Sequence, residues 1–493
     1  MNESSKPTSV VSQALVVLTG ALVAYVAWAS LPWPLVHDAP IMHYVAWRIA
    51  DGAVPYRDLF DMNFPGVYLI HLAVVTVMGT GDFGWRLFDL AWLAATCLVI
   101  ARLARPWGRA AATGGALLFA LYHLAGGPWQ AGQRDFLLCV FLLLGALGVA
   151  RWADGAGARD LAWAGLALGA GVTIKPHAVL LAAGLAGFVA VRGRQRGASV
   201  RGLVTFVAAA AVAPAGVVAW IGLAGGLGAW RQIVFGYVLP LYSHLAGPDA
   251  WRIYRPEAWG PIALVLVVTV VWAVRSGRVG PDHVVALIGV GYGVVHYVIQ
   301  GKGWEYHLYP LAAFASVLAF SAVEPALRLR RHAFAVALAA GLAAVVVLLG
   351  LKAHEAAGDG AQWWWDKERL VRLLVSDLEA ALHPHDTVQV LDTSEGGIHA
   401  LLRLGVVEPT RFLYDFHFYH DVSAPEIQRL RAELVRGMDA RAPRFVVLLD
   451  RGWPSGGPDR VADFPELSQR LATTYRVVAR RPGYQIFARR TDS

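Results

Sequence analysis

From Ala14 to Leu351 the chain keeps returning to apolar runs with almost no charge: Ala14–Trp33, Trp85–Ala104, Ala110–Gly126, Phe136–Ala150, Leu161–Ile174, His177–Val191, Gly202–Leu223, Trp259–Val274, Val284–Ile299, Tyr306–Val323 and Ala333–Leu351. A hydrocarbon core of about 30 Å offers no partner for backbone polar groups, so segments of this kind cross it as helices or not at all. The expectation is a mainly α, polytopic membrane protein of eleven spans. Charged residues are only 16% of the chain, against roughly 25% in soluble domains. The net charge of +8 is carried by arginines set between apolar runs, which marks topology instead of a nucleic-acid-binding face.

The arginines also orient the spans. If the eleven alternate from a cytoplasmic N-terminus, then Arg102, Arg105 and Arg109, Arg151 and Arg159, Arg192, Arg194, Arg196 and Arg201, Arg275 and Arg278, and Arg328, Arg330 and Arg331 all fall inside, as the positive-inside rule asks. Counting Phe64–Met78 as a crossing would turn every cluster outward, so it reads as an interfacial or re-entrant helix entered through Pro65 and Gly66. The first run reads as an uncleaved span, although Ala27-Trp28-Ala29 has small-x-small spacing. Cys97 and Cys139 lie in apolar segments and have no metal or disulfide spacing.

On this topology the polar stretches His37–Asn63, Gly127–Asp135, Arg231–Ala258 and Gly301–Glu305 share the outer face, with Lys175 in a tight hairpin near its boundary. Residues 1–351 then form a membrane module with a first outer loop at 34–84, and 352–493 an extracytoplasmic domain on that same side. That domain alternates β-rich strings (Thr387–Leu391, Arg411–Tyr414, Arg444–Leu449, Tyr475–Ala479, Gln485–Ala488) with helical ones (Gly397–Leu404, Pro425–Met438, Pro465–Thr473), a small α/β layer.

Several side chains carry two readings. Asp38, ahead of Pro40 and a helical pattern, is either an N-cap or a general base for an attacking hydroxyl. His37 and His43 could join it around a divalent metal, though the spacing is loose and hydrogen bonding is the plainer account. Asp135 is a cap, or it positions an acceptor, or a phosphate through Arg134. In a chain with five lysines, Lys175 and Lys302 are either snorkelling helix ends or compact cations for a phosphate or a carboxylate. Tyr306, His307 and Tyr309 fit headgroup oxygens or an interfacial belt. Asp415, His417, His420 and Asp421 look ligand-like but read better as a strand end and loop.

Taken in order, Asp38, Tyr44, Gly52, the Val54–Tyr56 turn and Pro65–Tyr68, then GQRDFLL around Asp135, TIKP at Thr173–Pro176 and KGWEYHLYPLAAF from Lys302 resemble the GT-C membrane glycosyltransferases. The branch they are most similar to holds the protein O-mannosyltransferases and the aminoarabinose transferases. The resemblance covers about Leu31 to Ala322. It implies transfer of a sugar from a polyprenyl-phosphate donor to a lipid, glycan or protein acceptor on the outer face, with inversion. It also implies that Asp38 matches the essential first-loop aspartate, Asp135 the second acidic position, Lys175 the lysine of the TKG or TKP turn, and Lys302 the basic residue before the aromatic-Pro helix. A segment that commonly reads KPPL is here Asn63–Gly66, NFPG, so the donor-phosphate cation falls to Arg57, Lys175 or Lys302, with Tyr44, Arg134, Tyr306 and His307 as further substrate contacts.

The bacterial cytoplasmic membrane, with the site facing the periplasm or exterior, is the expected location, and Arg- and Ala-rich usage fits a GC-rich bacterial genome. No cofactor is required by this reading, and a divalent metal stays an open alternative. A flippase of lipid-linked glycans is the main rival, but it would concentrate ionisable or broken helices near the midplane. A noncatalytic scaffold is the other.

Overall fold

The computed structural model describes residues 6–195, 200–245, 256–358, 362–453 and 456–490. Arg196 and residues 246–255 of the outer polar stretch lie outside them. Each of the eleven apolar runs overlaps a helix: Lys6–Ala29, Asp82–Ala104, Arg109–Ala125, Arg134–Ala153, Ala158–Ile174, Ala178–Gln195, Arg201–Leu223, Pro256–Arg275, Pro281–Gln300, Tyr309–Ala319 and His332–Ala357. Among the described residues seven helices are long and apolar enough to cross a membrane. The disputed segment forms a 14-residue helix, Pro65–Met78. At 1.5 Å per residue it spans about 21 Å, short of a hydrocarbon core of about 30 Å.

The chain folds as two compact units: the described residues of Met1–Trp33, Arg86–Val217 and Pro248–Ala361, and those of Pro34–Trp85, Val218–Gly247 and Gln362–Ser493. In the first unit, small residues let helix backbones touch. A methyl group added at Gly165 would sit 2.3 Å from the Phe206 carbonyl oxygen, and one at Gly169 would sit 2.3 Å from that of Ala210. The four-residue spacing of the two glycines puts both on one face of Ala158–Ile174, and that face lies against Arg201–Leu223.

The second unit joins the first loop to the C-terminal residues. Its sheet holds β1 (Val388–Leu391), β2 (Phe445–Leu449), β3 (Tyr475–Arg481) and β4 (Tyr484–Arg489) in the order β1-β2-β4-β3. β1 and β2 are parallel, with Val388 opposite Phe445, and the other pairings are antiparallel. The β3–β4 turn needs Gly483, whose φ is +102°. The expected strand Arg411–Tyr414 is not formed. Its backbone is drawn elsewhere: the Arg411 carbonyl accepts from Phe60 N–H at 2.6 Å, and Asp415 N–H donates to the Asp392 carbonyl at 2.8 Å, leaving a single bridge between Phe412 and Phe60.

The helix Gln362–Glu379 was not foreseen. Its opening Trp-Trp-Trp carries no cap signal and aromatic residues are mediocre helix formers, yet Trp364, Val371, Leu374 and Leu378 recur at helical spacing and are all buried.

Candidate functional site

In the first unit the polar centre is built where helices begin and end. Pro176 stops the helix Ala158–Ile174, because the residue before a proline is pushed out of the α region, and Lys175 takes the C-cap with φ −138°. Gly301, left-handed at φ +59°, ends Pro281–Gln300 and places Gln300 in its last turn. Asp135 lies in the first turn of Arg134–Ala153, where the free amide end of a helix favours a carboxylate.

These ends converge on Asp135, which is 0% exposed. Lys175 Nζ stands 3.1 Å from one carboxylate oxygen, and His296 Nε2 donates to the other at 2.6 Å. Lys175 also donates to Gln300 Oε1 at 2.5 Å, and Tyr292 hydroxyl meets His296 Nδ1 at 3.1 Å. With Nε2–H given to the carboxylate, the other ring nitrogen of His296 faces the Tyr292 hydroxyl. The Lys175 side chain keeps 14% exposure and Gln300 is also half-buried, whereas Asp135 and His296 are fully buried. Asp135 and Lys175 were expected from the sequence; His296 and Gln300 were not. They were hidden because His296 falls inside an apolar span and Gln300 at its end, although an ionisable group in such a span is a signal in itself.

His307 is buried in the helical turn Glu305–Leu308 beside Tyr306, ring centroids 4.6 Å apart. Lys302 lies in the turn before it, where burial pushes its pKa down to about 8. Arg134, next to Asp135, is 7% exposed.

A second buried network in this unit escaped the sequence reading. Arg86 pairs with Asp89 one turn on, donates to Ser30 Oγ at 2.5 Å and lies over the Trp33 ring, 4.4 Å from its centroid. Asp89 also accepts from His123 Nε2 at 3.0 Å and Gly132 N–H at 3.1 Å, and His123 Nδ1 meets Tyr309 hydroxyl at 2.7 Å. Every charge here has a partner, as burial in a span demands. Tyr309 therefore ends in this network, which accounts for it without an interfacial belt.

In the second unit Asp38 occupies the N-cap position of the helix Ala39–Ala50, and its carbonyl accepts from Ile41 and Met42 N–H. Its side chain makes no capping bond. It turns instead to His37, whose Nδ1 lies 3.1 Å from Asp38 Oδ1, with the side chains 29% and 14% exposed respectively. His37 reaches this pose from a left-handed backbone, φ +60°.

His43 does not join them. Its Nδ1 meets that of His71 at 2.7 Å under the Trp85 ring, and burial pushes its pKa down to about 3. The two histidines proposed to share a metal thus face different partners, and among the described residues no group of three His, Cys, Asp or Glu side chains is placed to hold one.

Tyr44 is buried, donating to the Val406 carbonyl at 3.4 Å and accepting from Glu408 N–H at 2.9 Å. Arg57 grips its neighbour Asp58 through two bonds of 2.9 Å. Of the C-terminal quartet, Asp415 is bound by Arg460 at 2.6 Å, while His417 and His420 flank the Tyr237 hydroxyl at 2.7 and 2.9 Å. His420 also reaches Asp421, 3.1 Å away. These four are used in holding loops together, although the strand they were expected to end is not formed.

Residues 64–221 match the family described as dolichyl-phosphate-mannose-protein mannosyltransferase. Among solved structures the chain is similar to ArnT from Cupriavidus metallidurans in the apo state, with a TM-score of 0.61 and 14% identity over 97% of this chain and 98% of that one. The same protein bound to undecaprenyl phosphate gives 0.60, 14%, 97% and 98%. The Archaeoglobus fulgidus oligosaccharyltransferase in complex with zinc and sulfate gives 0.52 and 13% over 96% of this chain and 73% of that one. No curated protein sequence matches the chain.

Proposed function

We propose that this multi-pass membrane protein, which has the GT-C fold of the ArnT and oligosaccharyltransferase structures, moves a sugar from a polyprenyl-phosphate donor to a hydroxyl acceptor at the outer face of a bacterial cytoplasmic membrane, with inversion. The observation that carries the reading is the Asp38 side chain, which stands at an N-cap yet leaves the cap unmade and faces His37 in a partly open setting. Asp38 takes the proton of the attacking hydroxyl. The new C–O bond forms as the bond from the anomeric carbon to phosphate oxygen breaks, and polyprenyl phosphate leaves with the electron pair.

Charge developing on that phosphate needs fixed cations in a dry setting. Lys175 is held for this by Asp135 and Gln300, and Lys302 supplies a second ammonium. Asp135, buried and engaged by Lys175 and His296, is here a positioning residue that acts through the Lys175 ammonium. ArnT bound to undecaprenyl phosphate supports a lipid-phosphate donor of this kind. Purified protein in liposomes, given undecaprenyl-phosphate sugars labelled in the sugar, should release label from the lipid into a glycosylated product. Label that stays on the lipid with every sugar and acceptor tried would end the proposal.

Lys302 gives this scheme a pH signature. Its pKa lies near 8, below the ordinary lysine value, so its charge costs folding free energy below about pH 8. That cost fades as pH rises from there towards the unfolded value of about 10.4. The cation for the phosphate is lost over the same rise. Donor KM should therefore climb through pH 8 in the natural protein and stay flat in Lys302→Arg, whose guanidinium does not titrate in this range. Parallel pH profiles for the two proteins would remove Lys302 from the donor site.

A further inference from the structure

The second unit holds a surface groove of about 610 Å³, inside the range of roughly 300–1,000 Å³ typical of small-ligand sites. Its walls come from the end of the helix Ala39–Ala50 and the turn after it, from residues 407–413, and from the helix Pro425–Arg441. Arginines and carboxylates alternate along it. Arg48 pairs with Asp51 at 2.9 Å, Arg57 with Asp58 at 2.9 Å, and Arg411 straddles Glu433 at 2.6 and 2.9 Å. Arg441 donates to the Pro409 carbonyl at 3.1 Å instead of to a carboxylate.

Glu408 is the fourth acid of the lining and is 4% exposed. Its Oε1 accepts from Val390 N–H and Gln389 Nε2, both at 3.0 Å, while Oε2 has no hydrogen-bond partner among the described residues. Burial raises its pKa well above the usual carboxylate range, which favours the protonated carboxyl. A buried polar group left without a partner costs free energy that a ligand recovers by supplying one.

These walls offer donors and acceptors in alternation, the pattern that adjacent hydroxyls on a sugar ring can satisfy. A site for bare phosphate would need guanidiniums not yet neutralised, but three of the four here are held by carboxylates. What remains is one positive centre, Arg441. We propose that the groove is an acceptor subsite that binds a short saccharide bearing a single acidic group. This rests on the glycosyltransferase reading and sharpens it, making the acceptor a glycan instead of a protein or a simple lipid.

The test uses the full-length protein in nanodiscs, probed with neutral di- to tetrasaccharides, their counterparts carrying one uronate, and inorganic phosphate. Uronate-containing saccharides should bind. Ala440→Trp fills the groove from an exposed helical position without removing an ion pair; it should weaken that binding about tenfold or more, the worth of a charge-assisted contact, while undecaprenyl phosphate binds as before. Arg441→Gln should reduce the uronate saccharides to the affinity of their neutral counterparts.

Binding of phosphate alone, of no saccharide, or of saccharides indifferent to Ala440→Trp overturns the proposal, whether or not transfer is observed. Saccharide binding lost in Ala440→Trp, in a protein that never transfers sugar, would instead overturn the glycosyltransferase reading and leave the groove as a binding site.

Discussion

Asp38→Asn should lower sugar transfer from a polyprenyl-phosphate donor by about a hundred- to ten-thousandfold, the range a positioned general base contributes, and should leave thermal unfolding and donor-lipid binding where they were. Asparagine has the shape of aspartate and still accepts a hydrogen bond from His37, so the pairing at 3.1 Å survives. Only the capacity to take a proton is gone. The control is Asp38→Ala. Were the side chain a helix cap, its loss would cost about 0.5–2 kcal/mol; since it makes no capping bond, the unfolding temperature should barely move. Full transfer by the asparagine variant would remove Asp38 from the chemistry, and a destabilised alanine variant with normal transfer would return it to the capping role.

The extent to which this protein can be read from its sequence follows the physics of each part. Membrane spans are legible because hydrocarbon imposes length and apolarity at once, and Pro65–Met78 forms a helix shorter than most of them. Strands at Val388–Leu391 and Phe445–Leu449 are legible because they are buried on both faces and read as short β-rich strings, unbroken and apolar in Phe445–Leu449 and interrupted only by Gln389 in Val388–Leu391. Arg411–Tyr414 has the same look and no strand, because a partner 351 residues away in sequence, Phe60, takes the Arg411 carbonyl.

The candidate site residues drew notice through their rare types. Lys175 and Lys302 stood out in a chain that otherwise uses arginine, and Asp38 and Asp135 opened helices. His296 and the Arg86–Asp89–His123 network were missed because a window average hides a single ionisable group. Only the three-dimensional pairing shows that each has a partner. Tyr44 and Arg57 each hold a bond within their own unit, to the backbone at 406–408 and to Asp58, which no sequence spacing announces.

Lys175→Met should be strongly damaging to the first unit. It removes the ammonium 3.1 Å from Asp135 and leaves a carboxylate that is 0% exposed with its charge uncompensated, a loss of about 3–5 kcal/mol when one partner of a buried pair is deleted. Asp135→Asn should cost less, because Lys175 is 14% exposed and can turn its charge towards water. The double variant Lys175→Met, Asp135→Asn should be more stable than Lys175→Met alone, since no buried charge is stranded. Thermal unfolding of the four proteins completes that cycle, and additive losses would show that the pair is not coupled. Transfer separates the roles in a different order. Asp135→Asn keeps the cation but lets it wander, so donor KM should rise more than kcat falls, whereas both variants lacking Lys175 should lose transfer even where the double variant is stable. If Asp135→Asn instead abolished transfer while Lys175→Met, assayed below its unfolding temperature, retained it, the carboxylate would itself be acting on substrate and the ammonium would be its support.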